Sequence, residues 1–107
     1  MITFFSAPRP FNNIFSIIQN NAISSWINLN GEKEILLFSE EQNIIDKSVI
    51  YCNSFKRNNL ETPLISSLFK KAKQISSWPT FCFINSDIIL PGNFLEVVQL
   101  CNYHFDN

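Results

Sequence analysis

Apolar residues in this chain follow two patterns that alternate along it: short unbroken runs, and stripes that recur at intervals of three and four. The runs occupy Ile2 to Ser6, Glu34 to Phe38, Ser48 to Cys52 and Thr80 to Ile84. Each has the length of a strand, and a strand covered on both faces reads as continuous apolar sequence rather than strict alternation. The first stripe, Phe11, Ile14, Phe15, Ile18, Ala22, Trp26 and Leu29, predicts a long helix that Asn30-Gly31 ends. After the second run, Ser39-Glu40-Glu41-Gln42 has capping-box spacing and predicts a short helix to about Lys47. Thr62-Pro63 marks another helix start, a cap residue followed by proline at the first helical position. That helix carries Ile65, Leu68, Phe69, Ala72 and Ile75 on one face before Trp78-Pro79 breaks it. A turn at Pro91-Gly92-Asn93 leads to a last helix with Phe94, Val97, Val98 and Cys101 on its apolar face, Asn93 and Glu96 suiting its start.

The predicted order is β-α-β-α-β-α-β-α. Strands alternating with crossover helices imply a parallel sheet covered on both faces, with right-handed connections. The expected fold is therefore α/β: a Rossmann-like three-layer αβα sandwich on a mostly parallel sheet of about four strands. With 107 residues, 46% of them hydrophobic, the chain suits a single domain over 1–107 with a core of its own. No repeat, linker or low-complexity segment interrupts it.

Charge and composition narrow the classes further. The formal net charge is -1, and the densest basic group is Lys70-Lys71 plus Lys73, so the concentrated basic face that nucleic acid needs is missing. The segment from Met1 enters a strand pattern at once and meets Pro8 and Pro10, resembling neither a signal peptide nor a membrane span; a cytoplasmic location is expected. Cys52, Cys82 and Cys101 sit among apolar neighbours without Cys-x-x-Cys spacing and read as reduced core residues. The single histidine, His104, has no acid or nucleophile at a meaningful spacing and reads as structural or surface-exposed. Only 2 glycines are present, so neither a Walker loop nor a Gly-x-Gly-x-x-Gly turn can be assembled.

Candidate chemistry gathers where the fourth run stops, at Asn85-Ser86-Asp87. In open α/β sheets ligands bind beyond the carboxyl ends of the strands, so polar residues delivered there are candidates for a site. The alternative is a strand terminus whose Asn and Asp satisfy turn amides, and spacing alone favours it. As a site, Asp87 offers one oxygen ligand to a hard divalent cation, which commonly uses one or two carboxylates with substrate phosphates and water. Asn85 both donates and accepts, and suits a sugar hydroxyl better than a metal. The loop Ser6-Ala7-Pro8-Arg9-Pro10 follows the first strand and opens on the same sheet edge, so the two segments are expected to converge. Arg9 suits an anionic ligand or simple solvation. Glu40 and Glu41 follow the second strand, where acids favour a helix amino terminus electrostatically.

Taken together, these residues resemble the amino-terminal, nucleotide-binding half of GT-A-type glycosyltransferases, the nucleotide-diphospho-sugar transferase superfamily. The resemblance spans essentially the whole chain. It rests on Ile2-Thr3-Phe4-Phe5-Ser6-Ala7-Pro8-Arg9-Pro10-Phe11, on residues 19–26, on Glu34-Ile35-Leu36-Leu37-Phe38-Ser39, on Thr62-Pro63-Leu64, and on Phe83-Ile84-Asn85-Ser86-Asp87-Ile88-Ile89-Leu90. It implies that Ser6, Ala7 and Pro8 border a nucleotide and that Ser39 and Glu40 lie near it. It further implies that Asn85-Ser86-Asp87 stands at the Asp-x-Asp position that binds ribose and a metal-bound diphosphate, with Asp87 the ligand of Mn²⁺ or Mg²⁺. Asn85 departs from that pattern at its first acidic position. Family members continue into a second, acceptor-binding half that supplies the base for transfer. No catalytic residue is assigned here, and the expectation is a truncated, donor-binding half whose open sheet edge pairs in a homodimer or with a separate partner chain. A non-catalytic interaction or assembly domain derived from the same fold is the alternative.

Overall fold

The computed structural model describes residues 2–44, 46–53, 65–76, 78 and 80–105, the last five as backbone only. Its elements run β1 (Ile2–Ser6), α1 (Asn13–Ile27), β2 (Lys33–Phe38), β3 (Val49–Cys52), α2 (Ile65–Ile75), β4 (Phe81–Phe83) and α3 (Phe94–Phe105). The strands form one parallel sheet in the order β3-β2-β1-β4. β1 is central, paired with β2 from Ile2↔Lys33 to Ser6↔Leu37 and with β4 from Thr3↔Phe81 to Phe5↔Phe83.

Successive side chains on a strand go to opposite faces, and here each face has its own core. Ile2, Phe4, Ile35, Leu37 and Ile84 pack with Ala22, Ile23 and Trp26 of α1 and Leu95 of α3. Phe5, Leu36 and Phe38 pack with Leu68 and Ala72 of α2 on the other side. The two clusters make the three αβα layers expected from the sequence. Phe4 stacks on Trp26 with ring centroids 6.3 Å apart, while Phe5 meets Phe69 and Phe83 edge-on at 4.7 and 5.4 Å. Burying one such ring contributes about 2–3 kcal/mol.

Four expectations are corrected. The segment after β2 forms no helix among its described residues. Between Phe38 and Val49 the chain is shorter than the roughly dozen residues a helical crossover between parallel strands needs. It is instead held by side chains: the Ser39 hydroxyl accepts from the Glu41 amide at 3.1 Å, and the Tyr51 hydroxyl both accepts from the Ile44 amide and donates to the Ile44 carbonyl, at 2.8 and 2.9 Å. Asp46 Oδ1 accepts from the Ser48 amide and hydroxyl, which hold the carboxyl below its ordinary range.

The second correction concerns α1, whose buried face is Gln19, Ala22, Ile23 and Trp26, while Ile14 and Ile17 are 62% and 64% exposed. Fifteen helical residues span about 22 Å and five strand residues about 17 Å, so the helix outruns β1. A crossover helix runs back against its strands, and its first turns therefore overhang their carboxyl ends. The helix also starts at Asn13, which takes φ 52°, rather than at Phe11. Third, Leu95 is the buried residue at the start of α3, and Val97 is exposed. Fourth, in α2 only Leu68 and Ala72 are buried; Ile65, Phe69 and Ile75 reach solvent. The Thr62-Pro63 helix start and the side chains of Cys101 and His104 lie outside the described residues. Cys52 and Cys82 are half-buried, and burial pushes the Cys82 thiol up.

Candidate functional site

The central strand β1 continues toward β2 on one side, whereas its other neighbour is β4, reached much later in the chain. The chains leaving β1 and β4, neighbours in the sheet, both pass onto the face that α1 covers, and ligands of open α/β sheets lie beyond such strand carboxyl ends. A cavity of about 370 Å³ lies there. Ser6, Ala7 and Arg9 line it from the β1 side, Phe83, Asn85, Ser86 and Asp87 from the β4 side, and Phe15, Ile18 and Gln19 from the overhanging turns of α1. Its volume falls at the lower end of the ~300–1,000 Å³ range of small-molecule sites.

The β1 loop is held by one buried side chain. Gln19 Oε1 accepts from the Arg9 amide at 2.8 Å, and Gln19 Nε2 donates to the Arg9 carbonyl at 3.0 Å. The same Oε1 accepts the Ser86 hydroxyl at 2.5 Å. Gln19 is 2% exposed, so these bonds are made away from water and fix both sides of the cavity relative to α1.

The chain leaving β4 is tied down at alternate residues. Besides Ser86 on Gln19, the Ile88 carbonyl accepts from Trp26 Nε1 at 2.8 Å and the Leu90 amide donates to Ser25 Oγ at 3.0 Å. With Ser86 turned inward onto the helix, Asn85 and Asp87 project outward and are exposed at the cavity rim.

Ser6 is the chemically conspicuous wall residue. It is 1% exposed, and its Oγ has no hydrogen-bond partner. A buried hydroxyl left in that state costs about 1–3 kcal/mol, which a polar group entering the cavity recovers. Across the mouth, the Arg9 guanidinium carbon lies 4.8 Å from the Phe15 ring centroid, a cation–π contact.

Six of the residues singled out from the sequence therefore surround one space: Ser6, Ala7, Arg9, Asn85, Ser86 and Asp87. Pro8, Ser39 and Glu40 do not line it. Ser39 and Glu40 follow β2, on the far side of β1 from β4, and the Ser39 hydroxyl is engaged by the Glu41 amide. Gln19, Phe15 and Ile18 had not been read as site residues. Gln19 carried a signal: a polar side chain at the i, i+3, i+4, i+7 spacing that also takes in Ala22, Ile23 and Trp26.

No protein-family model, curated protein or solved structure matches the chain. Among the described residues no three His, Cys, Asp or Glu side chains come together to hold a metal ion, and Asp87 is the one carboxylate lining the cavity. Such a donor set suits a divalent cation that arrives with an anionic ligand and keeps most of its water, rather than a caged structural metal. Among the described residues no helix is long and apolar enough to cross a membrane.

Proposed function

We propose that this chain is a nucleotide-sugar donor-binding domain of the GT-A glycosyltransferase kind, with the donor seated between the ends of β1 and β4. The observation that carries the reading is the meeting of the Ser6–Arg9 loop and the Asn85-Ser86-Asp87 turn around one cavity at the carboxyl ends of adjacent parallel strands. Both segments are quoted in the resemblance, and they lie far apart in sequence. Ser6 Oγ offers a buried hydrogen-bonding group to the nucleoside, Asn85 an amide to a ribose hydroxyl, and Asp87 one carboxylate oxygen to Mn²⁺ or Mg²⁺ bridging the diphosphate. Transfer to an acceptor requires a base for the acceptor hydroxyl, and no cavity-lining residue is proposed for that role.

A second reading, a non-catalytic assembly domain, is favoured by a different observation. β4 pairs only with β1 among the described strands, and Ile14, Ile17 and Ile89 are more than half exposed. An open strand edge and exposed apolar side chains each suit a second copy or a separate partner chain.

Calorimetric titration with uridine and guanosine diphosphates, with and without Mn²⁺, separates the two. Donor binding requires a nucleoside diphosphate to bind the wild-type chain and Mn²⁺ to tighten it, with that increment lost in Asp87→Ala. A folded wild type that binds neither nucleotide under either condition would overturn the donor reading and leave assembly, which Asp87→Ala should not affect.

A further inference from the structure

We propose that Arg9, held over the Phe15 ring, is a preorganised anchor for a phosphate or diphosphate group and binds it without a metal ion. The proposal rests on the donor-cavity reading and adds to it a second, independent source of positive charge. Four features of Arg9 carry it. Its backbone is clamped on both sides, amide and carbonyl, by the amide group of Gln19, which is almost wholly buried. Pro8 and Pro10 flank it and fix φ on either side, so little backbone freedom is left to lose when a ligand binds. Its guanidinium carbon lies 4.8 Å over the Phe15 ring, a cation–π contact that consumes none of its N–H donors in a hydrogen bond. Finally, no carboxylate among the described residues pairs with it, so its charge is uncommitted within the fold.

Position gives that charge a use. Arg9 and Phe15 line the main cavity and also a second recess of about 280 Å³, so Arg9 borders two open spaces. Inside the main cavity the unpartnered Ser6 hydroxyl awaits a neutral polar group. A ligand with a hydrogen-bonding head and an anionic linker meets both. Asp87 lies on the same cavity and carries the opposite charge to Arg9. Without a metal it repels the anion that Arg9 attracts, and with a metal it helps to hold it. The two residues therefore respond to metal removal with opposite signs.

The test is titration of the whole chain with inorganic pyrophosphate and with uridine diphosphate in EDTA, repeated in Arg9→Ala, Arg9→Lys, Phe15→Leu and Asp87→Asn. Circular dichroism and urea midpoints establish that each variant is folded; Arg9 and Phe15 are exposed enough for substitution to leave the core intact. Expected are binding of both anions in EDTA, about tenfold or greater weakening in Arg9→Ala, and weakening in Phe15→Leu. Arg9→Lys should fail to restore wild-type affinity, because an ammonium is a point charge that does not donate in a fork. Asp87→Asn should bind at least as tightly as wild type in EDTA while losing the Mn²⁺ increment. No anion binding by folded wild type in EDTA, or affinity unchanged in Arg9→Ala, would overturn the proposal even if nucleotides bind with Mn²⁺. Arg9-dependent binding of pyrophosphate with no preference for a nucleoside diphosphate would uphold the anchor and remove the nucleotide-sugar reading instead.

Discussion

The Ser86 hydroxyl donates to Gln19 Oε1 although the two residues stand 67 positions apart, and through that bond the turn after β4 is fixed to the first crossover helix. Gln19 also grips Arg9 on both sides of its backbone. One buried amide thus decides how far apart the two walls of the cavity stand.

Replacing Gln19 by Leu removes three hydrogen bonds and leaves the Ser86 hydroxyl without its acceptor in a buried setting. The expected loss is about 2–4 kcal/mol, read as a fall in the urea midpoint with little change in slope. Gln19→Glu is the sharper probe. Its carboxylate still accepts from Ser86 and the Arg9 amide but confronts the Arg9 carbonyl, where Nε2 had donated. The Glu variant should be destabilised at neutral pH and recover as acid protonates the new side chain; a Glu variant as stable as wild type at pH 7 would show that the Nε2 bond contributes nothing.

Trp26 fastens the same turn further along. Trp26→Phe keeps an aromatic ring against Phe4 but loses the bond from Nε1 to the Ile88 carbonyl. About 1–2 kcal/mol should be lost. Hydrogen exchange should quicken at the Leu90 amide, which Ser25 holds, more than at the amides of β1. Equal acceleration throughout would mean that the indole serves global packing rather than the turn.

Strands were the most legible part of this chain, since each run of apolar residues marks one, although the edge strands β3 and β4 are only partly buried. The first core strand, Ile2–Ser6, is buried at every position. Helix existence was legible where length allowed it, and the missing helix after Ser39 shows why length matters: a correct local cap signal was overruled by the short distance between parallel strands. The face of α1 was misread because periodicity cannot tell a buried turn from one that overhangs the sheet, and Phe15 and Ile18 ended at the cavity for that reason. Convergence of Ser6 and Asp87 followed from topology alone. The Gln19 clamp did not, since a glutamine on an apolar stripe reveals neither of its partners until the fold brings them together.

Tyr51 replaces the missing helix as the support of the β2–β3 crossover, and its hydroxyl bonds Ile44 twice. Burial pushes the phenol above its ordinary 10.0, and the hydrogen bond with the Ile44 backbone offsets part of that rise. The unfolded chain therefore ionises this group first. Its contribution is whole below pH 10 and is lost as pH rises through the folded value. Tyr51→Phe should lower stability by about 1–2 kcal/mol at pH 7 and flatten the alkaline limb of a plot of stability against pH. An unchanged alkaline limb would assign that limb to other groups.

Ser6 separates stability from binding more cleanly than any other position. Its hydroxyl is buried and unpartnered, so Ser6→Ala removes an unsatisfied polar atom while changing side-chain volume little. The free protein should be unchanged or stabilised by up to about 1 kcal/mol, the opposite of what truncating a buried, hydrogen-bonded serine does. Ligand affinity should move the other way, because the group that a nucleoside would satisfy is gone. Thermal denaturation of wild type and Ser6→Ala, each with and without uridine diphosphate, reads both effects in one experiment. The variant should melt at the same or a higher temperature alone and gain less from the nucleotide. A variant that melts lower without ligand would mean that Ser6 Oγ is already satisfied by water in the free protein, and an undiminished nucleotide shift would remove Ser6 from the site.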